Sequence, residues 1–306
     1  MEQTTHSTAR RRARARRRKR HRQGCLIALL CCLALAAALW LRPGSGNALP
    51  VLHSRSAVLM DAASGEVLAA LRPREPAPTA SLTKLMTVYA AMELLPDPSA
   101  PVTVAEEMFP PLYAQNASMA GLLPGETTTV GDLWYGALLP SGAECCQALG
   151  AAVGGEEVLL QAMNGTAAEL GMTRTCFKNL TGLHAEGHVS TVEDMAQLLA
   201  AALKSEAFRA VFTAWQHILA GDLHPEGLAV ESTLSRYADA LGGDGWRVLG
   251  GKTGYTDEAG LCLATLAEVN GREYLLVTAG APGDHTTEPY HVQDAAAVYR
   301  WLSAGL

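Results

Sequence analysis

Short apolar runs at Ala57–Ala62 and Val67–Leu71 flank a Ser64-Gly65 turn, a pattern that predicts two strands. The period then changes. Leu82, Leu85, Met86, Tyr89, Met92 and Leu95 recur at three- and four-residue spacing, so Ala80–Leu95 is expected to form a helix with one apolar face. Helical patterns follow at Val130–Leu139, Glu144–Val153, Glu156–Leu170 and Thr191–Leu203, the last with a capping signal, Thr191-x-x-Asp194. Strand-length runs return at Arg247–Thr253, Leu261–Val269 and Glu273–Ala279, and Asn270-Gly271 between the last two predicts a hairpin. A closing helix over Val292–Leu302 is expected to lie on that sheet. The predicted class is α+β, an antiparallel sheet flanked by helices, with an all-helical region between its first and last strands.

One apolar run stands apart. Cys25–Leu41 carries no charge, and ten of the thirteen positions from Arg10 to Arg22 are Lys or Arg. At about 1.5 Å per residue the run reaches roughly 26 Å, the short end of a spanning helix and the long end of a signal-peptide core. The expected division is a basic cytoplasmic arm at 1–24, a signal peptide or signal-anchor helix at 25–41, a linker at 42–53 and a catalytic domain at 54–306. Cleavage near Gly46-Asn-Ala48 and an uncleaved anchor both stay open. Either places the remainder outside the cytoplasm. Thirteen Lys and Arg against twenty-nine Asp and Glu follow Arg42, a net charge of −16 that argues against nucleic acid as a partner. Cys25, Cys31 and Cys32 belong to the apolar run, while Cys145, Cys146, Cys176 and Cys262 are expected to be buried free thiols.

Three motifs carry candidate chemistry: Ser81-Leu-Thr-Lys84, Ser141-Gly-Ala143 and Lys252-Thr-Gly254. A serine hydroxyl is a poor nucleophile at neutral pH and needs a base within hydrogen-bond reach. Lys84, three residues along a helix from Ser81, shares its face. A lysine shielded from water beside another cation gives up its proton more easily, and Lys252 is the expected cation.

These motifs, in this order, resemble the S-x-x-K, S-x-N and K-T-G set of the serine penicillin-binding proteins. The chain most resembles the low-molecular-mass D-alanyl-D-alanine carboxypeptidases of the peptidase S11 type. The likeness runs from about Ser54 to Leu306 and includes Thr79-Ala-Ser-Leu-Thr-Lys-Leu-Met-Thr87, Leu122-Leu-Pro-Gly-Glu126, Leu138-Leu-Pro-Ser-Gly142, Asn179-Leu-Thr-Gly-Leu183, His188-Val-Ser-Thr191 and Gly251-Lys-Thr-Gly-Tyr255. It implies the β-lactamase/transpeptidase-like fold and removal of the terminal D-alanine from peptidoglycan stem pentapeptides through an acyl-enzyme, with no cofactor and no metal. By the same resemblance Ser81 is the nucleophile, Lys84 its proton acceptor and Ser141 a proton relay. Lys252 and Thr253 would hold the substrate carboxylate, with Gly254 and Tyr255 completing the substrate-binding strand. The backbone N–H groups of Ser81 and Tyr255 would form the oxyanion hole. The implied partners are the peptidoglycan stem peptide, β-lactams as covalent inhibitors, and the membrane through the N-terminal segment. The implied location is the outer face of a bacterial cell membrane or the wall. Some relatives continue into a small β domain and an amphipathic membrane helix; no such segments follow here, so attachment is expected at the N-terminus.

The sequence departs from the pattern at Ala143, where the family usually has an asparagine whose amide bonds the catalytic lysine and the substrate backbone. Losing such a bond costs about 1.5–3 kcal/mol, roughly a ten- to hundredfold rate loss if it acts in the transition state. Glu144 accepts hydrogen bonds but cannot imitate an amide donor while ionised. Two alternatives therefore stand beside the carboxypeptidase: a weakly active or non-catalytic penicillin- or muropeptide-binding protein, and a serine β-lactamase. For the β-lactamase, no glutamate-bearing deacylation loop is recognisable around Asn179–Glu186. His184-Ala-Glu-Gly-His188 invites a metal reading, but its Glu is misplaced for the zinc helix motif, and a structural role is expected. Asp284-His285 and His291 are expected at the surface, and Trp134, Trp215, Trp246 and Trp301 in packing roles.

Overall fold

The computed structural model describes residues 48–305. The basic arm, the apolar run with its cysteines, and the first part of the linker lie outside the described residues. Among the described residues no helix is long and apolar enough to cross a membrane.

β1 (Ser56–Asp61) and β2 (Val67–Leu71) form the first hairpin. Asp61 shapes its turn by accepting hydrogen bonds from the backbone of Ala63 and Ser64 and from the Ser64 hydroxyl. A 3₁₀ turn, Ala80–Leu82, runs directly into α1 (Thr83–Leu94). The helical region then comprises α2 (Phe109–Ala114), α3 (Val130–Leu138), α4 (Ala143–Ala152), α5 (Glu156–Glu169), α6 (Val192–Ala202) and α7 (Glu206–Phe212). Two small ribbons interleave with it. One pairs β3 (Pro101–Thr103) with β4 (Thr127–Thr129), the other β5 (Gln216–Gly221) with β6 (His224–Glu231). The chain returns to the main sheet through β7 (Gly242–Gly243), β8 (Trp246–Thr256), β9 (Gly260–Val269) and β10 (Arg272–Ala281), and closes with α8 (Tyr290–Ser303).

The six-stranded sheet has the order β2-β1-β10-β9-β8-β7 with antiparallel pairing throughout. The first strand of the fold thus pairs with the last, Val58 opposite Val277. Because successive side chains in a strand point to opposite faces, a strand covered on both sides must be apolar at every position. β1 shows this: Val58 and Met60 join the core beneath the helical region, while Leu59 joins the core beneath α8 with Leu263, Leu276, Val292 and Tyr299. Asp294 of α8 anchors the start of the domain, accepting from the backbone of His53 and Ser54 and from the Ser54 hydroxyl.

The predicted helices and strands agree with the observed ones within a few residues. The Thr191 cap is present: Thr191 Oγ1 accepts from Asp194 N at 3.0 Å, and the Asp194 carboxylate also accepts from Arg174 N and the Thr175 hydroxyl. Thr191→Ala is expected to lower stability by about 1 kcal/mol and the thermal midpoint by roughly 2–4 °C, measured by calorimetry. A midpoint equal to the wild type would refute that role for the cap.

Three expectations need correction. The helix carrying Ser81 is buried nearly all round, because other helices pack around it. Thr83, Lys84 and Thr87 are inside, whereas Tyr89 and Met92 lie at its rim. His291 is buried in the first turn of α8 against Tyr237, with its pKa pushed down to about 4 chiefly by burial. Of the four cysteines of the domain, Cys145, Cys146 and Cys262 are buried free thiols and Cys176 is only half-buried.

Candidate active site

Ser81 lies in the 3₁₀ turn and Lys84 in the first turn of α1, so the three-residue spacing puts them side by side. Lys84 Nζ is 2.9 Å from Ser81 Oγ and donates to the Thr181 carbonyl at 2.8 Å. That carbonyl is presented by a turn built on Asn179, whose Oδ1 accepts from the backbone of Thr181 and Gly182 and whose amide donates to Leu183 O. Gly182 has φ +80° and lies against Ala80, itself at φ +46° immediately before Ser81. The Asn179–Leu183 segment therefore fixes both partners of the Ser81–Lys84 pair. No role for it followed from the sequence, because a carbonyl acceptor leaves no signature in residue type.

Lys84 is almost wholly enclosed. Burial lowers its pKa, and negative charge at Cys146, Glu144 or Cys145 works against that shift. Lys252 is fully buried on β8, and its Nζ donates to the Thr253 carbonyl at 2.8 Å. Its pKa is held well below the usual lysine value, first by burial and then by the charge of Lys84. Burial, not a neighbouring cation, lowers the pKa of Lys84: Lys252 is buried nearby, but it is the charge of Lys84 that lowers the pKa of Lys252 and not the reverse. Two enclosed ammonium groups are costly together, which favours a state with one neutral.

β8 runs close beside the Ser81 turn. A Cβ at Gly254 would lie 3.0 Å from Ser81 N and 3.1 Å from Thr79 O, so only glycine admits this approach without displacement. Thr253 Oγ1 donates to Thr233 Oγ1 at 2.7 Å. The Tyr255 hydroxyl donates to Asp257, a bond that pushes its pKa up to about 12. A small cavity beside this end of β8 is lined by Thr253 and Tyr255 together with Arg236, Tyr237 and His285. Arg236 is an exposed cation at its rim that no sequence motif singled out.

Ser141 is buried just ahead of α4 with φ +71°. Ala143, the first residue of α4, is fully buried, and its N–H donates to Ser118 O at 2.8 Å. Its methyl group offers no hydrogen bond in place of the expected amide. The two histidines of the 184–188 segment separate. His184 is exposed, 3.6 Å from Glu258. His188 is buried, with Nδ1 accepting from Lys178 N and Nε2 2.8 Å from Thr83 Oγ1, and burial pushes its pKa down to about 4. Those bonds assign His188 to bracing α1.

The family model of peptidase S11, D-alanyl-D-alanine carboxypeptidase, matches residues 45–283. The D-alanyl-D-alanine carboxypeptidase DacF of Bacillus subtilis is 32% identical over 235 residues, covering 75% of this chain and 58% of its own length. A D-alanyl-D-alanine endopeptidase of Pseudomonas aeruginosa is 31% identical over 289 residues, covering 92% of this chain and 88% of its own. The crystal structure of the Streptomyces K15 DD-transpeptidase superposes with a TM-score of 0.73 at 23% identity, covering 84% of this chain and 99% of its own, a likeness of fold. This chain thus spans only about three fifths of the length of DacF.

Proposed function

The chain belongs to the D-alanyl-D-alanine carboxypeptidase family, peptidase S11, and from that membership we propose that it is a serine carboxypeptidase that removes the terminal D-alanine from peptidoglycan stem pentapeptides. The observation that carries this reading is the enclosed Lys84 Nζ 2.9 Å from Ser81 Oγ. In the proposed reaction neutral Lys84 takes the Ser81 proton as Oγ attacks the carbonyl carbon of the penultimate D-alanine. The backbone N–H groups of Ser81 and Tyr255 stabilise the oxyanion. The peptide C–N bond then breaks, Ser141 passes a proton to the departing amine, and water hydrolyses the ester that remains on Ser81. Thr253, with Lys252 beneath it and Gly254 setting the distance of the strand, receives the substrate carboxylate.

Residues 54–306 are the proposed catalytic domain, held outside the cytoplasm by a signal or anchor segment at 25–41 behind the basic arm. β-lactams are the proposed covalent inhibitors, since they acylate the same serine. The test incubates the full-length chain with a diacetyl-Lys-D-Ala-D-Ala peptide and, in parallel, a fluorescent penicillin. Release of D-alanine blocked by penicillin, with a long-lived label, is expected. Labelling without release would favour the weakly active binding-protein reading that Ala143 raises. Rapid loss of the label with destruction of the penicillin would identify a β-lactamase instead.

Lys252→Ala is expected to leave labelling detectable but to lower kcat/KM for the peptide about ten- to a hundredfold, chiefly through KM, by removing the amine beneath the carboxylate site and its bond to the Thr253 carbonyl. An unchanged KM would exclude Lys252 from carboxylate recognition.

A further inference from the structure

Two buried polar atoms at the start of α4, Ser141 Oγ and Glu144 Oε2, have no hydrogen-bond partner among the described residues. Glu144 is fully buried, and its other oxygen, Oε1, accepts from Ala120 N at 2.6 Å and Gly121 N at 2.9 Å. The same loop is tied a second time, through Ala143 N donating to Ser118 O at 2.8 Å, and Gly142 N donates to Gly136 O at 2.9 Å. These bonds surround Ser141, whose φ of +71° is a conformation that side-chain-bearing residues keep only where the surroundings enforce it.

We infer that Glu144 is a positioning residue of this active site: its carboxylate fastens the Ser118–Gly121 loop against the first turn of α4 and so holds Ser141 in its left-handed conformation. The inference rests on the proposed roles of Ser141 and Lys84. Backbone N–H groups take over part of the solvation that water would give this carboxylate, opposing the burial that still raises its pKa. The inference also explains how the second motif keeps its shape without the amide that Ala143 lacks. The carboxylate has a second effect, on charge. Lys84 of α1 and the neighbouring Cys145 and Cys146 are the titratable groups that face it, and Lys252 of β8 faces Lys84 and Cys146. A negative charge there raises the pKa of Lys84, against the larger lowering from burial.

Glu144→Gln keeps an oxygen for the two N–H donors and removes the charge; Glu144→Ala removes both. In the full-length chain, penicillin acylation by Glu144→Gln is expected to stay within about threefold of wild type at its pH plateau. Its acid limb should move to lower pH, because Lys84 without a nearby anion loses its proton more readily. Glu144→Ala is expected to acylate at least tenfold more slowly, with faster amide exchange at Ala120, Gly121 and Ala143. An unshifted acid limb in Glu144→Gln overturns the charge effect, and a folded Glu144→Ala with wild-type acylation and wild-type exchange at those amides overturns the clamp. A wild type that takes no label overturns the carboxypeptidase reading instead, and the exchange pattern of the two variants then decides the clamp by itself.

Discussion

Ser81→Ala is expected to abolish covalent labelling by penicillin and to reduce D-alanine release by at least about a thousandfold, while the protein remains folded. Removing Oγ deletes the atom that would form the ester, and no other hydroxyl is within hydrogen-bonding distance of Lys84 Nζ among the described residues. The oxyanion hole and the carboxylate site would survive, so a small residual rate over water and near-normal peptide binding are expected. Ser81 is only half-buried, and its hydroxyl supports no structural element apart from its contact with Lys84. The thermal midpoint should therefore stay within roughly 2 °C of wild type. Stoichiometric labelling or full turnover by this variant would remove Ser81 from the mechanism.

The second large effect is expected at Gly182, a residue that takes no part in the chemistry. A Cβ there would lie 1.9 Å from the Ala80 carbonyl oxygen, 2.4 Å from the Ala80 carbonyl carbon and 2.9 Å from Thr83 Oγ1. At φ +80° the backbone itself also disfavours any other residue. Neither neighbour can yield cheaply, since Ala80 leads directly into Ser81, and the adjacent Thr181 carbonyl holds Lys84. Gly182→Ala is expected to lose about 2–5 kcal/mol, a drop of roughly 5–15 °C in the thermal midpoint. It should also slow acylation in whatever fraction remains folded, by displacing Ser81 relative to Lys84. Calorimetry and acylation kinetics on the same preparation separate the two effects. A variant with wild-type midpoint and rate would show that the 179–183 turn does not position the pair.

The Ser81–Lys84 juxtaposition was legible in the sequence because it is local: three residues on a helix determine which side chains meet. The same holds for the Thr191 cap and the Asn270-Gly271 hairpin, where chemistry and geometry lie within four residues. The β5–β6 ribbon was not legible. Its strands are largely exposed and lack clean alternation, and it is held by distant partners, with His217 Nε2 2.9 Å from Asp132 Oδ1 and His224 Nδ1 2.6 Å from Glu126 Oε1. A ribbon held by polar contacts 85 and 98 residues away leaves no periodic trace.

By itself, the sequence determined the α+β order of elements, the three motifs and the kind of chemistry a serine, two lysines and a K-T-G strand can support. Only the tertiary structure decided the state of those groups. The burial that lowers the pKa of Lys84 and Lys252 comes from the sheet and helices closing around them. The Thr181 carbonyl reaches Lys84 across 97 positions of chain, and Glu144 finds its backbone donors in a loop more than twenty residues away. Residue type sets what a side chain can donate, accept or ionise; desolvation and long-range partners, which set whether it does, arise only when the chain is folded.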